Sequence, residues 1–193
     1  MPKKLGLAFL FIGLLFIIAA LALFLFNYYE DSRAGEKSDE MLSELQHLIV
    51  EKNAGETSSI ETPASTSLTV IDGYVGYLSI PRLDLELPVM DEWDYDKLKL
   101  APCRHFGAPQ TDDFVIAAHN YKNHFGSLSK LESKDPVLFT DMDGVVHHYE
   151  LSSLTTLAPN DVEVVQNSEH DLVLYTCTYG GKTRVAAFFD RPE

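Results

Sequence analysis

This chain is short of cations and of thiols. Its 193 residues hold 15 Lys and Arg against 29 Asp and Glu, a formal charge of −14, and only two cysteines, Cys103 and Cys177. With no basic stripe to neutralise phosphates, nucleic acid is excluded as a partner. Two cysteines leave at most one disulfide, Cys103–Cys177; otherwise both are free thiols. There is no internal repeat. Long uncharged apolar sequence occurs in one place only, Leu5 to Phe26.

At 1.5 Å per helical residue that run is long enough to cross a hydrocarbon core of about 30 Å. Lys3 and Lys4 precede it and Glu30 and Asp31 follow. The positive-inside rule therefore places residues 1–4 in the cytoplasm, a transmembrane anchor at 5–26 and everything after it outside the cell membrane. Ala20-Leu21-Ala22 resembles a signal-peptide cleavage site. A signal peptide's apolar core runs about 7–15 residues, however, and this one continues to Phe26, so an uncleaved single-pass anchor is the expectation. The acidic balance of the remainder keeps an exterior domain soluble and says little about substrate.

Residues 27–67 change character twice. Met41, Leu42, Leu45, Leu48 and Ile49 recur at helical spacing after Ser38-Asp39-Glu40, which predicts an amphipathic helix over Asp39 to Lys52; packing on the barrel ranks ahead of lying at the membrane or pairing with another copy. Asn53 to Ser67 turns to Ser, Thr, Gly, Glu and Pro and reads as a flexible linker. The stretch 68–193, about 125 residues, suits one globular domain. Strand signals fall at Val75–Ile80, Leu85–Met90, Phe114–Ala118, Val137–Thr140, Val146–Leu154, Val162–Val165, Leu172–Thr176 and Arg184–Phe189. Tyr95–Leu100 and Phe125–Leu131 read as helical or turn segments between them. Many short strands with Gly, Pro and Asp turns argue for a mainly β fold, a closed or nearly closed eight-stranded barrel with short helices.

The most informative stretch is Leu172-Val-Leu-Tyr-Thr-Cys177-Thr-Tyr-Gly-Gly-Lys-Thr-Arg184. Gly180-Gly181 marks a tight turn, so Cys177 and Arg184 sit on neighbouring strands of a hairpin. A thiol is a poor nucleophile until ionised, and a nearby guanidinium or imidazolium favours the thiolate. The imidazole comes from Phe114-Val-Ile-Ala-Ala-His119-Asn120, another apolar strand ending in a histidine. Strand ends cluster on one rim of a barrel, which lets His119, Cys177 and Arg184 converge. The His-before-Cys order is unlike papain-type proteases, and no Gln-Ala-Cys-x-Gly of caspases is present.

These residues resemble the sortases, cysteine transpeptidases that attach proteins to Gram-positive cell walls or to one another as pili. The match is at Leu174, Thr176, Cys177 and Arg184, with Val173 and Ala118 departing from the family's usual Thr and Gly. It covers roughly Tyr74 to Asp190. His119-Asn120-Tyr-x-x-x-Phe125-Gly-x-Leu128 resembles class B sortases, while Val165 to Leu172 is too short for their long helix and Asp91-Glu-Trp93 lacks the proline of a class C lid. The resemblance thus points to a class B-like or class D-like enzyme with a catalytic domain at 68–193. It implies a sortase-type barrel in which Cys177 attacks an LPXTG-like sorting signal, His119 serves as acid and base, and Arg184 opposes the oxyanion. Thr176 and Asn120 are the implied substrate contacts. The acceptor is an amine, from a cell-wall precursor or a pilin lysine. The rival reading is a non-catalytic extracellular barrel closed by a Cys103–Cys177 disulfide.

No cofactor is expected. Some sortases hold calcium, and Asp112, Asp113, Glu163, Glu169 and Asp171 are the carboxylates that would do so here; scattered carboxylates are more often solvated. His147 and His148 are adjacent in a strand and face opposite ways, so they do not share a metal and read as solvated rim residues. His105 and His124 sit in turn-like sequence and read as exposed.

Overall fold

The structure, a computed structural model, describes residues 3–55 and 68–192. Residues 56–67 of the expected linker therefore lie outside the described residues. Helix α1 runs from Lys3 to Gly55, so helix extends through 53–55, which had read as linker. The chain divides into two compact units, one ending at Arg33 and the other beginning at Ala34. In the first, Phe9, Phe16, Phe24 and Leu25 are all exposed. The helix is long and apolar enough to cross a membrane, with a mean hydropathy of 3.1 over its apolar window.

In the second unit, eight strands among the described residues close a barrel: β1 (Tyr74–Ile80), β2 (Leu85–Met90), β3 (Cys103–Phe106), β4 (Phe114–Ala118), β5 (Pro136–Asp141), β6 (Val146–Leu157), β7 (Leu172–Cys177) and β8 (Arg184–Asp190). The order around the barrel is β1-β2-β3-β4-β7-β8-β6-β5, closed by β1 against β5. Pairings are antiparallel except β2–β3 and β4–β7. β4 is buried at all five positions, the pattern of a parallel strand covered on both faces.

Alternation sorts the side chains. Phe114, Ile116, Leu172, Leu174, Ala187 and Phe189 fill the interior with Phe139 and Tyr149. Val115, Val173, Ala186 and Phe188 point the other way and are covered by Val165 of the short helix α2 (Val162–Gln166). Two expectations change here. Val162–Val165 is helical rather than a strand, because four apolar-rich residues carry no period that separates the two. Cys103–Phe106 is a strand that the charged, four-residue sequence CRHF hid; it gains that form by pairing with Met90 on one side and β4 on the other.

The part of α1 in the second unit packs on the barrel. Leu45 and Ile49 are buried with Tyr74 and Met142. Lys52 pairs with Asp143, whose other oxygen accepts a 2.8 Å hydrogen bond from the Thr69 hydroxyl. Asp143 lies in the β5–β6 turn, which Asp141 organises by accepting from the Asp143 and Val145 amides, each at 3.0 Å. Leu45 is wholly buried. Leu45→Ala should therefore cost about 2–4 kcal/mol in chemical denaturation of the full chain. A loss below about 0.5 kcal/mol, the level of an ordinary surface substitution, would show that the helix is not docked.

Candidate active site

The site is built from strand register. Cys177 pairs directly with Arg184 across β7–β8. Side chains so placed share a face, with Cβ atoms about 4.5–5.5 Å apart. On the other side, β4 and β7 run parallel in step from Phe114 opposite Leu172 to Ala118 opposite Thr176. β4 ends at Ala118, one residue before His119, and β7 ends at Cys177. Period-two alternation then sends Cys177 and Arg184 to the outer face of one rim, the same face as Val173 and Tyr175. Cys177 ends β7, Arg184 begins β8 and His119 follows the last residue of β4.

Local chemistry holds this rim in place. The β7–β8 turn needs left-handed backbone at Gly180 (φ 79°) and Gly181 (φ 69°), which glycine adopts without steric cost. The Thr178 and Thr183 hydroxyls bond at 2.9 Å across its base. Arg184 Nη1 donates to the Gly181 and Thr183 carbonyls, both at 3.1 Å, which ties the guanidinium to its own turn. His119 packs against Tyr121 at 5.0 Å between ring centroids and meets Tyr95 edge-on at 5.9 Å. Cys177 is partly exposed.

Thr176 corrects an expectation. Its side chain is turned to the interior and 3% exposed, and its hydroxyl donates to the Ala118 carbonyl at 2.8 Å. It therefore ties β4 to β7 beside Cys177 instead of facing substrate. Asn120 follows His119 at the rim and is half-buried.

Beside the rim, a cavity of about 280 Å³ opens on the outer face, lined among others by Trp93, His105, Leu157, Val165, Tyr175 and Arg184. Sequence reasoning missed most of this wall. Tyr175 was accessible to it, since a residue two before Cys177 must share its face. The Tyr175 hydroxyl and His105 Nδ1 share a 2.8 Å hydrogen bond, and Trp93 lies 5.6 Å from the His105 ring. Burial pushes the Tyr175 phenol up to about 12, against the pull of Arg184, and lowers His105 below the usual histidine range.

The remaining candidates fall elsewhere. Both cysteines are free, so the disulfide-closed reading fails. Cys103 is wholly buried with Leu98 and Ala117, and burial raises its thiol to about 11. His105 is half-buried within strand β3 and His124 is fully buried in the turn after β4, so neither is exposed as expected. His147 is largely buried and bonded to Asp141 at 2.9 Å, whereas His148 is exposed on the opposite face. Of the carboxylates considered for calcium, Asp112 and Asp171 bond to Arg191 and Asp113 to Thr111. Among the described residues no three His, Cys, Asp or Glu side chains gather as a ligand set.

A closed barrel that brings a thiol, an imidazole and a guanidinium to one rim, with a cleft alongside, has the architecture of a cysteine transpeptidase. The profile of the Sortase domain family matches residues 78–189, and the chain belongs to the sortase family. Its activity is that of a sortase transpeptidase. Sortase A of Bacillus anthracis is 24% identical over 163 residues, spanning 78% of this chain and 77% of that protein. The solved structure of Streptococcus pneumoniae sortase C is 26% identical with a TM-score of 0.57, covering 86% of this chain and 95% of that one. The Clostridium perfringens sortase D5 transpeptidase shares the fold at 18% identity, with a TM-score of 0.62 over 82% of this chain and 99% of its own.

Burial, followed by the charge of nearby His119, lowers His124 from the usual 6.5 to about 4, while the Leu100 backbone pulls weakly the other way. Between those values the unfolded chain binds a proton that the folded chain refuses. This contribution to stability is therefore complete above pH 6.5 and declines as pH falls towards 4, by on the order of 3 kcal/mol in all. Denaturation midpoints at pH 7 and pH 4.5 for wild type and His124→Leu measure it. The variant should lose less stability on acidification; equal losses would contradict the assignment.

Proposed function

We propose that this chain is a membrane-anchored transpeptidase that cleaves an LPXTG-like sorting signal through a thioacyl intermediate on Cys177 and transfers the acyl group to an amine. The observation that supports this reading is the in-step β4–β7 pairing, which runs up to the residues before His119 and Cys177, together with the direct Cys177–Arg184 pair. The Cys177 thiolate attacks the carbonyl carbon of the scissile Thr–Gly bond. Arg184 opposes the charge on the tetrahedral oxygen. His119 as imidazolium protonates the departing glycine nitrogen, and the C–N bond breaks to leave a thioester. The incoming amine gives its proton to neutral His119 and attacks the thioester, which releases the thiolate and forms a new amide.

The cavity beside Arg184 accommodates the sorting peptide on the side away from the scissile bond, with Asn120 as a further contact at the rim. The acidic exterior part carries no positive field to attract polyanions, which suits a peptide substrate. Leu5 to Phe26 anchors the chain, and Lys3 and Lys4 keep the N-terminus cytoplasmic, so the barrel acts outside the cell membrane. The first acceptor proposed is a cell-wall precursor amine. The second is a pilin lysine, supported by the Streptococcus pneumoniae sortase C, whose structure was described for its pilin substrate specificity.

Intact-mass spectrometry of the full chain in detergent with a sorting peptide tests the reading. Wild type should show the thioacyl adduct on Cys177, Cys177→Ala should show none, and hydroxylamine should discharge it. An adduct that survives in Cys177→Ala would refute the assignment. Arg184→Ala should slow thioacyl formation by about 10²–10³-fold with an unchanged melting temperature. Because turnover requires the thiolate and the imidazolium together, kcat/KM should be bell-shaped in pH. A rate that rises without a maximum from pH 6 to 10 would remove His119 from the role of acid.

A further inference from the structure

Helix α1 reaches the loop that follows His119. Ala34 and Ser38, one turn apart, are 5% and 1% exposed. Gly35, beside Ala34, lies against the side chain of Asn123. A Cβ added at position 35 would fall on the Asn123 amide nitrogen, 3.0 Å from its Cγ and 3.2 Å from its Cβ. Glycine weakens a helix interior, so its presence here is accounted for by this close approach.

The loop that carries Asn123 has no slack. Phe125 N donates to the His119 carbonyl at 3.1 Å, and His124 N and Gly126 N both donate to the Tyr121 carbonyl, at 3.0 and 2.9 Å. A Cβ on Gly126 would overlap the Asn120 carbonyl oxygen and sit 2.7 Å from that of Tyr121. The Tyr121 ring is packed between His119, at 5.0 Å, and the fully buried His124, at 5.5 Å. A shift of Asn123 is passed to the neighbouring loop residues, and so to the Tyr121 ring that packs on the His119 imidazole.

We infer that Gly35 is a positioning residue: by leaving room for the Asn123 side chain it lets the docked part of helix α1 seat against the loop that orients the His119 imidazole. The inference rests on the reading of His119 as the acid and base of the reaction. It makes the segment beyond the apolar span part of the catalytic apparatus rather than a tether.

The test uses the full chain in detergent micelles, with a Leu-Pro-Glu-Thr-Gly peptide as donor probe and hydroxylamine as acceptor. Gly35→Ala, Gly35→Leu, Asn123→Ala and the double variant Gly35→Ala/Asn123→Ala are compared with wild type. Both replacements at 35 are better helix formers than glycine, so a lost rate cannot come from a weakened helix. Gly35→Leu should lower kcat by about 10- to 100-fold with KM unchanged, and Gly35→Ala by less. Removing the Asn123 side chain should restore most of what Gly35→Ala loses. Iodoacetamide alkylation of Cys177 between pH 5 and 9 needs no substrate and supplies the second readout. Gly35→Leu should move its pH profile towards that of His119→Ala. Wild-type kcat and a wild-type alkylation profile in Gly35→Leu would overturn the inference, as would a double variant no better than Gly35→Ala. A His119→Ala control separates the two failures. If it is inactive while the Gly35 variants are normal, only the positioning role falls; if it remains active, the underlying reading of the site falls.

Discussion

The parallel pairing of β4 with β7 is the constraint on which the rest depends. Two strands far apart in sequence run side by side in step, and the Thr176 hydroxyl clips them together at the Ala118 carbonyl. Because side chains alternate, a slip of one residue would turn Cys177 into the interior and Thr176 outward. The apolar interior forbids that slip. Leu172 and Leu174 would lose their places in the core together, at about 1.5–3 kcal/mol for each side chain brought back into water. Core packing and site geometry are thus consequences of one register.

The barrel uses its two faces differently. The inner face holds the fold together and presents no reactive group to solvent. The outer face at the His119–Cys177 rim is covered only in part, by α2 and by the segment around Trp93, and the cavity lies between them. The two thiols divide in the same way. Cys103, enclosed by Leu98 and Ala117, is held as a thiol by burial, while Cys177 stands at a strand end beside Arg184. Placement alone sets the two sulfurs apart, one enclosed and one partly exposed.

What could be read from the chain itself follows from how local each signal is. Leu172 to Thr176 and Phe114 to Ala118 declare themselves as strands because buried parallel strands are continuous apolar runs, and Gly180-Gly181 declares the turn between β7 and β8. The pairing of Cys177 with Arg184 was legible for the same reason, since the Gly180-Gly181 turn joins their strands. Contacts made across the fold were not. The Tyr175–His105 hydrogen bond joins residues 70 apart, and the burial of His124 depends on a loop folded against its own first residue. Thr176 was named as a substrate contact through the family resemblance, whereas alternation turns it inward. The Met41, Leu45, Leu48 and Ile49 spacing announced a packing face on α1, but the contact of Gly35 with Asn123 leaves no periodic trace.

The register itself can be measured by cross-linking. In a His119→Cys variant the new thiol should stand opposite Cys177, within the range of Cα separations, about 4.4–6.8 Å, that a disulfide spans. Mild oxidation followed by peptide mass spectrometry should find a single intramolecular 119–177 disulfide, with Cys103 left reduced. Failure of that bond to form, or a 103–177 bond in its place, would contradict the alignment of the site.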